Sequence, residues 1–191
     1  MYRAISLASI RADLSWHDKD AIVKLAKRSR IEFVDRRVLL DGADVTDLIR
    51  TPSVTDVIRH VADLPEVREI LTAKQRAFAL GRDVVTEGRD QGSEVFPDAH
   101  CKVFLTASPE ERARRRQQQL AESQRYVPLE DVLAQQTRRD QEDESRPVGR
   151  LRPAADAVIV NSDGLSLEDV LLQVLGIVHG VRGRLAAAAQ G

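Results

Sequence analysis

Residues 84–92 read VVTEGRDQG, two β-branched residues followed by a charged pair between glycines. This pattern predicts a buried strand that opens into a loop presenting charge at its end. Arg89 can grip a phosphate or a carboxylate through forked hydrogen bonds, and Asp90 can accept a hydrogen bond from an amine or an amide. The competing interpretation is a charged turn that closes a strand, and the neighbouring segments bear on the choice.

The segments that follow repeat a strand-then-helix pattern. CKVFLTA at 101–107 is a short apolar strand, and Ser108-Pro109 with a glutamate behind it is typical of a helix N-terminus. Pro128 opens another helix, and the apolar run 157–161 precedes a last amphipathic helix. Strands alternating with helices indicate an α/β fold with a parallel sheet, in which ligands lie at the carboxyl ends of the strands.

The amino-terminal part of the chain is predicted to be mainly helical. Apolar spacing indicates helices at 1–10, around 22–26, and after Pro52 and Pro65. Between the second and third of these, residues 31–46 alternate apolar and polar side chains around two turn signals, which predicts a small antiparallel hairpin or meander. This segment is the best candidate for an inserted lobe.

Length, net charge and cysteine content limit the kinds of protein that this sequence can encode. The 191 residues suffice for one domain with a sizeable core and a small insert, and the net charge of -1 gives no support for a general nucleic-acid or membrane surface. A single cysteine, Cys101, excludes an internal disulfide and fits a reducing compartment. We find no metal-ligand spacing of Cys and His, no window that approaches a membrane span and no signal peptide, so we expect a cytoplasmic protein.

Two arginine-rich helices carry further candidate sites. Arg139, Asp143 and Arg146 are spaced i, i+4, i+7, which places them on one helix face suited to an anionic, transferring phosphoryl group. The alternative is a solvated face with surface ion pairs. In the other helix, Arg112 and Arg116 form an i, i+4 pair within a run of like charges, which is costly unless an anion or an acidic partner neutralises it.

Several of these motifs together resemble the bacterial cytidylate kinases. EGRDQGSEVFPDAHCKVFLTASPEERARRR matches the core of that family, LLDGADVTDLIRTPSVTDVIRHVADLPEVREILTAKQR its nucleotide-binding insert, RRDQEDESRP its lid, and PAADAVIVNSDGLSLEDV its last strand and helix. The resemblance covers residues 1 to about 178. It implies a single P-loop NTPase-type domain over 1–191, in which helices flank a parallel sheet, with an antiparallel nucleoside-monophosphate-binding insert at 30–80 and a lid region at 109–147.

The resemblance also implies an activity and its residues. Phosphoryl transfer from ATP to CMP or dCMP with Mg²⁺ is expected, in a monomer that binds neither nucleic acid nor membrane. The implied catalytic residues are Arg89, Arg139 and Arg146. The implied CMP-binding residues are Tyr2, Arg3, Arg68, Arg89, Asp90, Arg139, Asp143 and Arg146, and those turned toward ATP are Arg112 and Arg116.

This sequence departs from the family pattern in two places. Arg59 stands where the family usually has a serine near the cytosine, which leaves base recognition to His60 or Asp90. The family also begins with a strand and a GxxGxGK[ST] phosphate loop, whereas residue 1 here matches the position just after its DSGA segment. Because that loop holds the β- and γ-phosphates, the resemblance implies that residues 1–191 alone are poorly stable and nearly inactive, and that Met1 is an internal methionine or the chain a shortened product.

Two other functions stay open at this point. A non-catalytic nucleotide-binding module would keep the CMP residues without holding ATP. An RNA-binding protein would use the arginine run 112–116, but the near-neutral charge and the lack of interleaved aromatic residues speak against it.

Overall fold

A computed structural model describes residues 1–145 and 149–188, apart from the side chains of 143–145. The chain divides into two compact units, Met1–Val84 and Val85–Gly191. The first unit contains four helices and a small sheet. Its elements are α1 (Tyr2–Arg11), α2 (Lys19–Arg28), β1 (Ile31–Val34), β2 (Arg37–Leu40), β3 (Ala43–Asp44), a short 3₁₀ turn (Leu48–Arg50), α3 (Pro52–Ala62) and α4 (Pro65–Ala79).

Helix α1 lies at the centre of the first unit. Its apolar side chains enter two buried clusters, one with residues of α2 and the small sheet, the other with residues of α2, α3 and α4. Ser6 and Ser9 are also buried on α1, where their hydroxyls donate to the carbonyls one turn earlier, Tyr2 O at 3.1 Å and Ile5 O at 2.9 Å. The buried polar groups of this helix are therefore satisfied locally.

The predicted antiparallel hairpin or meander is confirmed as a three-stranded sheet in the order β1-β2-β3. Asp35 and Arg36 form the first two-residue turn with φ of 47° and 67°, and Asp41 and Gly42 form the second with φ of 51° and 85°. Positive φ at both central residues matches the right-handed twist of the flanking strands. The turn chemistry read from the sequence is therefore what sets the register of this sheet.

The second unit combines helices with a two-stranded parallel sheet. Its elements are a five-residue π-helical turn (Gln91–Val95), β4 (Val103–Thr106), α5 (Pro109–Glu122), α6 (Leu129–Ser145), β5 (Val158–Asn161) and α7 (Leu167–Ala188). Strands β4 and β5 pair in parallel from Val103 opposite Val158 to Thr106 opposite Asn161. The α/β class and these two strands are as predicted.

The predicted strand at residues 84–85 is wrong. Both residues lie in an irregular segment, and Val85 is fully exposed. A strand needs a hydrogen-bonding partner, and among the described residues the parallel sheet consists of β4 and β5. The apolar run alone could not supply that partner.

The start of α5 is fastened to the end of β5. The Ser108 hydroxyl accepts from Glu111 N at 3.3 Å, as the capping pattern predicts, and Ser108 N donates to the Asp163 carboxylate at 2.7 Å. Arg115 donates to the hydroxyl and the carbonyl of Ser162, at 3.0 and 2.6 Å, and to Glu111 at 2.9 Å. Because Ser162 is buried, Arg115 satisfies a carbonyl that is withdrawn from water.

We predict that Arg115→Met lowers the free energy of unfolding by about 2 kcal/mol, since it removes charged hydrogen bonds to a buried partner. Urea denaturation followed by circular dichroism measures the change. Arg114→Met is the matched control, because Arg114 also pairs with Glu111 but has a 63% exposed side chain, so its removal costs only about 0.5 kcal/mol. Equal losses in both variants would contradict the assigned role of Arg115.

The expectation that no segment approaches a membrane span does not hold for helix α7. This helix of 22 residues has a mean hydropathy of 1.3, and by length and composition alone it could cross a membrane. Core helices of soluble proteins pass the same test but are mostly buried, whereas no residue of α7 is buried. Helix α7 also carries Glu168, Asp169, Arg182 and Arg184. A helix of this kind does not by itself indicate a membrane protein.

Candidate active site

The loop that carries Arg89 and Asp90 is compact on both sides of the charged pair. A Cβ added to Gly88 would lie 2.8 Å from Gln91 Cγ, and one added to Gly92 would lie 3.3 Å from Lys102 Cδ. Asp90 is only 6% exposed, and its carbonyl accepts from Glu94 N and Val95 N at 2.9 and 3.2 Å. Side chains therefore pack closely against both glycines, and two backbone hydrogen bonds follow the charged pair.

A hydrogen bond from Gly149 contacts the turn at the far end of this loop. The Glu94 carboxylate accepts a hydrogen bond from Gly149 N at 3.2 Å, where Gly149 has a φ of 66°. The segment after the predicted lid therefore returns to the turn that follows Asp90.

The predicted lid face is present as helix for the residues that the structure describes. Arg139 is exposed on α6, Asp143 lies in the same helix with an undescribed side chain, and Arg146 lies outside the described residues. The neighbouring Asp140 accepts a hydrogen bond from Arg112 Nη1 at 2.6 Å, which joins α6 to α5. Arg139 therefore lies on a helix that an ion pair links to α5.

The arginine run of α5 is neutralised largely within the chain. Arg112 pairs with Asp140 and also donates from Nε to Ala107 O at 3.1 Å. Arg114 and Arg115 both pair with Glu111, whereas Arg116 donates to the Gln119 amide oxygen at 3.4 Å. Acidic partners for three of these arginines therefore lie in α5 and α6, and Arg116 is paired only with the neutral Gln119 among the hydrogen bonds of this run.

The first unit holds the remaining predicted residues. Arg68 is 9% exposed, donates to Ala62 O at 3.1 Å and places its guanidinium carbon 5.5 Å from the centre of the Tyr2 ring. Arg3 donates to Ile49 O at 3.1 Å and to the Thr55 hydroxyl at 2.8 Å. Tyr2 and Arg68 are therefore brought together, and Arg3 links α1 to the start of α3.

His60 and Arg59 differ in their surroundings. The His60 ring stacks on Trp16 with 5.2 Å between centroids and 19° between planes, whereas Arg59 is exposed. The aromatic stack fixes the position of the His60 ring on α3.

Neither a groove beside α5 nor a cluster of metal-binding side chains involves the predicted residues in the described part of the chain. A groove of about 480 Å³ beside α5 is lined by residues such as Arg114, Arg125 and Tyr126, and none of the predicted site residues lines it. Within 1–145 and 149–188, no three His, Cys, Asp or Glu side chains are grouped so that they could hold a metal ion.

Sequence reasoning missed Lys102 and Asp156. The Lys102 side chain is 7% exposed, and its ammonium donates to the two carboxylate oxygens of Asp156 at 2.9 and 2.8 Å and to Pro97 O. The hydrogen bond from Lys102 holds the pKa of the Asp156 carboxyl below its ordinary value. No local signal marks this pair, because its members are 54 positions apart.

Comparison with known proteins gives one consistent result. The family model described as cytidylate kinase matches residues 1–180. The cytidylate kinase of Rhodopirellula baltica is 54% identical over 94% of this chain and 78% of its own length, and that of Carboxydothermus hydrogenoformans is 40% identical over 93% and 82%. The cytidylate kinase of Pelotomaculum thermopropionicum is 42% identical over 95% and 83%. The chain belongs to the cytidylate kinase family.

Proposed function

We infer that this protein transfers the γ-phosphoryl group of ATP to CMP or dCMP and releases CDP or dCDP. The observation that carries the inference is the extent of the match, since the family model spans residues 1–180 and the relatives named cytidylate kinase align over more than nine-tenths of the chain. Catalysis of this reaction rests on positioning and electrostatic stabilisation rather than on a covalent intermediate.

In the second unit, we propose that Arg89 binds the phosphate of CMP and Asp90 contacts its cytosine. The side-chain packing at Gly88 and Gly92 and the hydrogen bonds to the Asp90 carbonyl support this assignment, because a guanidinium fork is effective only when its backbone is held. Arg139 and Arg146 would stabilise the charge that spreads over the transferring phosphoryl oxygens, with Asp143 orienting the nucleotide. Arg112 and Arg116 would act toward ATP.

In the first unit, we propose that Arg3 and Arg68 bind CMP together with Tyr2. The contact of the Arg68 guanidinium with the Tyr2 ring supports their joint role, because it limits the orientations that Arg68 can adopt. Residues 30–80 would form the CMP-binding insert and residues 109–147 the lid, within one domain.

Mg²⁺ is proposed as a companion of ATP rather than as a resident ion. The described residues contain no group of three His, Cys, Asp or Glu side chains that could hold a metal ion. Mg²⁺ commonly binds nucleotide phosphates and keeps several waters, which suits delivery with the substrate. We further propose a cytoplasmic monomer with no nucleic-acid or membrane partner.

A coupled assay of ADP formation tests the proposed function. The protein from the full reading frame that contains residues 1–191 is supplied with ATP, Mg²⁺ and, separately, CMP, dCMP and UMP. We expect turnover with CMP or dCMP, and UMP shows how strict the base recognition is. Binding of CMP without turnover would favour the non-catalytic module instead.

A further inference from the structure

We propose that Lys102 is a positioning residue that holds the Arg89-Asp90 loop in its CMP-binding shape through its ion pair with Asp156. This inference rests on the proposed function, because it assigns Lys102 a role toward the same CMP site. Lys102 lies directly before β4, and its side chain contacts Pro97, Asp156 and Gly92, so it would act through the loop.

The Lys102 side chain is largely buried. A lysine is seldom buried unless its charge is paired, and this side chain is only 7% exposed. An ammonium has three donors, and these meet three acceptors, the two Asp156 oxygens and Pro97 O. Each donor of the ammonium therefore has an acceptor.

The Lys102 side chain also supports the turn that follows Asp90. Its carbon chain packs over Gly92, where an added Cβ would lie 3.3 Å from Cδ, 3.4 Å from Cγ and 3.6 Å from Cβ. Gly92 is two residues after Asp90 and belongs to the turn whose amides donate to the Asp90 carbonyl. Movement of this side chain would therefore release one side of the loop.

Lys102 connects several segments of the second unit. Its ammonium joins the turn at Pro97 to the segment before β5 at Asp156, and its own carbonyl accepts from Val158 N at 2.9 Å to begin the β4–β5 ladder. Lys102 thereby connects the turn after Asp90 to the β4–β5 sheet. A catalytic loop that shifts by about 1 Å loses on the order of 100-fold in rate, so such support has functional value.

Lys102→Met tests this inference, because methionine keeps an unbranched apolar chain over Gly92 but has no ammonium. We expect the KM for CMP to rise about 10-fold while the KM for ATP changes by less than about 2-fold. Lys102→Arg keeps the charge and should recover most of the CMP affinity. Arg184→Met, which removes one exposed charge from α7, is the control with unchanged kinetics.

Three results would overturn the inference: an unchanged KM for CMP, equal increases in both KM values, or a Lys102→Arg variant as impaired as Lys102→Met. If Lys102→Met fails to fold, Asp156→Asn removes the ion pair at a carboxylate that is 65% exposed, and the same split between KM values is expected. Inactivity of the unaltered protein on CMP would refute the proposed function instead. In that case, calorimetric titration with CMP would compare Lys102→Met with the unaltered protein. CMP binding about 10-fold weaker in Lys102→Met would support the role of Lys102, and equal binding would refute it.

Discussion

Arg89→Ala is expected to lower kcat/KM for CMP by about 1000-fold, the largest single effect that we predict. Arginine presents a planar pair of donors that matches two phosphate oxygens, and side chains pack against the glycines on both sides of Arg89. Steady-state kinetics with CMP varied at saturating ATP measure the loss. Alanine removes both donors, so substrate positioning and charge stabilisation fail together.

Two companion variants make the Arg89 result specific. Arg89→Lys keeps the charge but not the fork, and we expect it to fall between the parent and Arg89→Ala. Arg82→Ala removes an arginine that lies 4.8 Å from the centre of the Phe78 ring and is assigned no part in catalysis, so its kinetics should stay close to those of the parent. A near-normal rate for Arg89→Ala would remove Arg89 from the site.

Arg139→Ala is expected to lower kcat by about 100-fold with a smaller change in the KM for CMP. A residue that stabilises charge mainly in the transition state affects kcat more than substrate binding. Arg139 is exposed on α6, so its removal creates no cavity and leaves the fold intact. Single-turnover measurements separate the chemical step from product release.

The matched control for this prediction is the adjacent Arg138→Ala. Arg138 is also exposed on α6, but neighbouring positions on a helix point about 100° apart, so it does not share the face of Arg139. We expect nearly normal kcat for Arg138→Ala. Equal losses in the two variants would indicate a general effect of charge on α6 rather than a specific contact to the phosphoryl group.

Elements whose signals lie within a few residues could be predicted from the sequence. The cap of α5 depends on Ser108 and Glu111, and the hairpin turn depends on Asp35 and Arg36, so neighbouring side chains and backbone angles determine both. The helices after Pro52 and Pro65 follow for the same reason.

Features that depend on distant partners could not be predicted. The apolar pair at 84–85 has the composition of a strand, but a strand forms only where another strand can pair with it. The arginine run of α5 left open whether an anion or an acidic partner offsets its charge, and the structure supplies carboxylates from Asp140, 28 positions after Arg112, and from Glu111. The support of the predicted CMP loop by Lys102 and Asp156 likewise depends on tertiary contacts that no spacing rule describes.

The most direct test of the central claim is to follow the γ-phosphoryl group itself. ATP labelled at the γ-phosphate is incubated with the protein, Mg²⁺ and CMP, and the nucleotides are separated. The account predicts label in CDP in an amount equal to the ADP formed, and no such product when CMP is omitted. Label that appears only in inorganic phosphate, or that stays in ATP while CMP binds, would contradict the assignment as a cytidylate kinase.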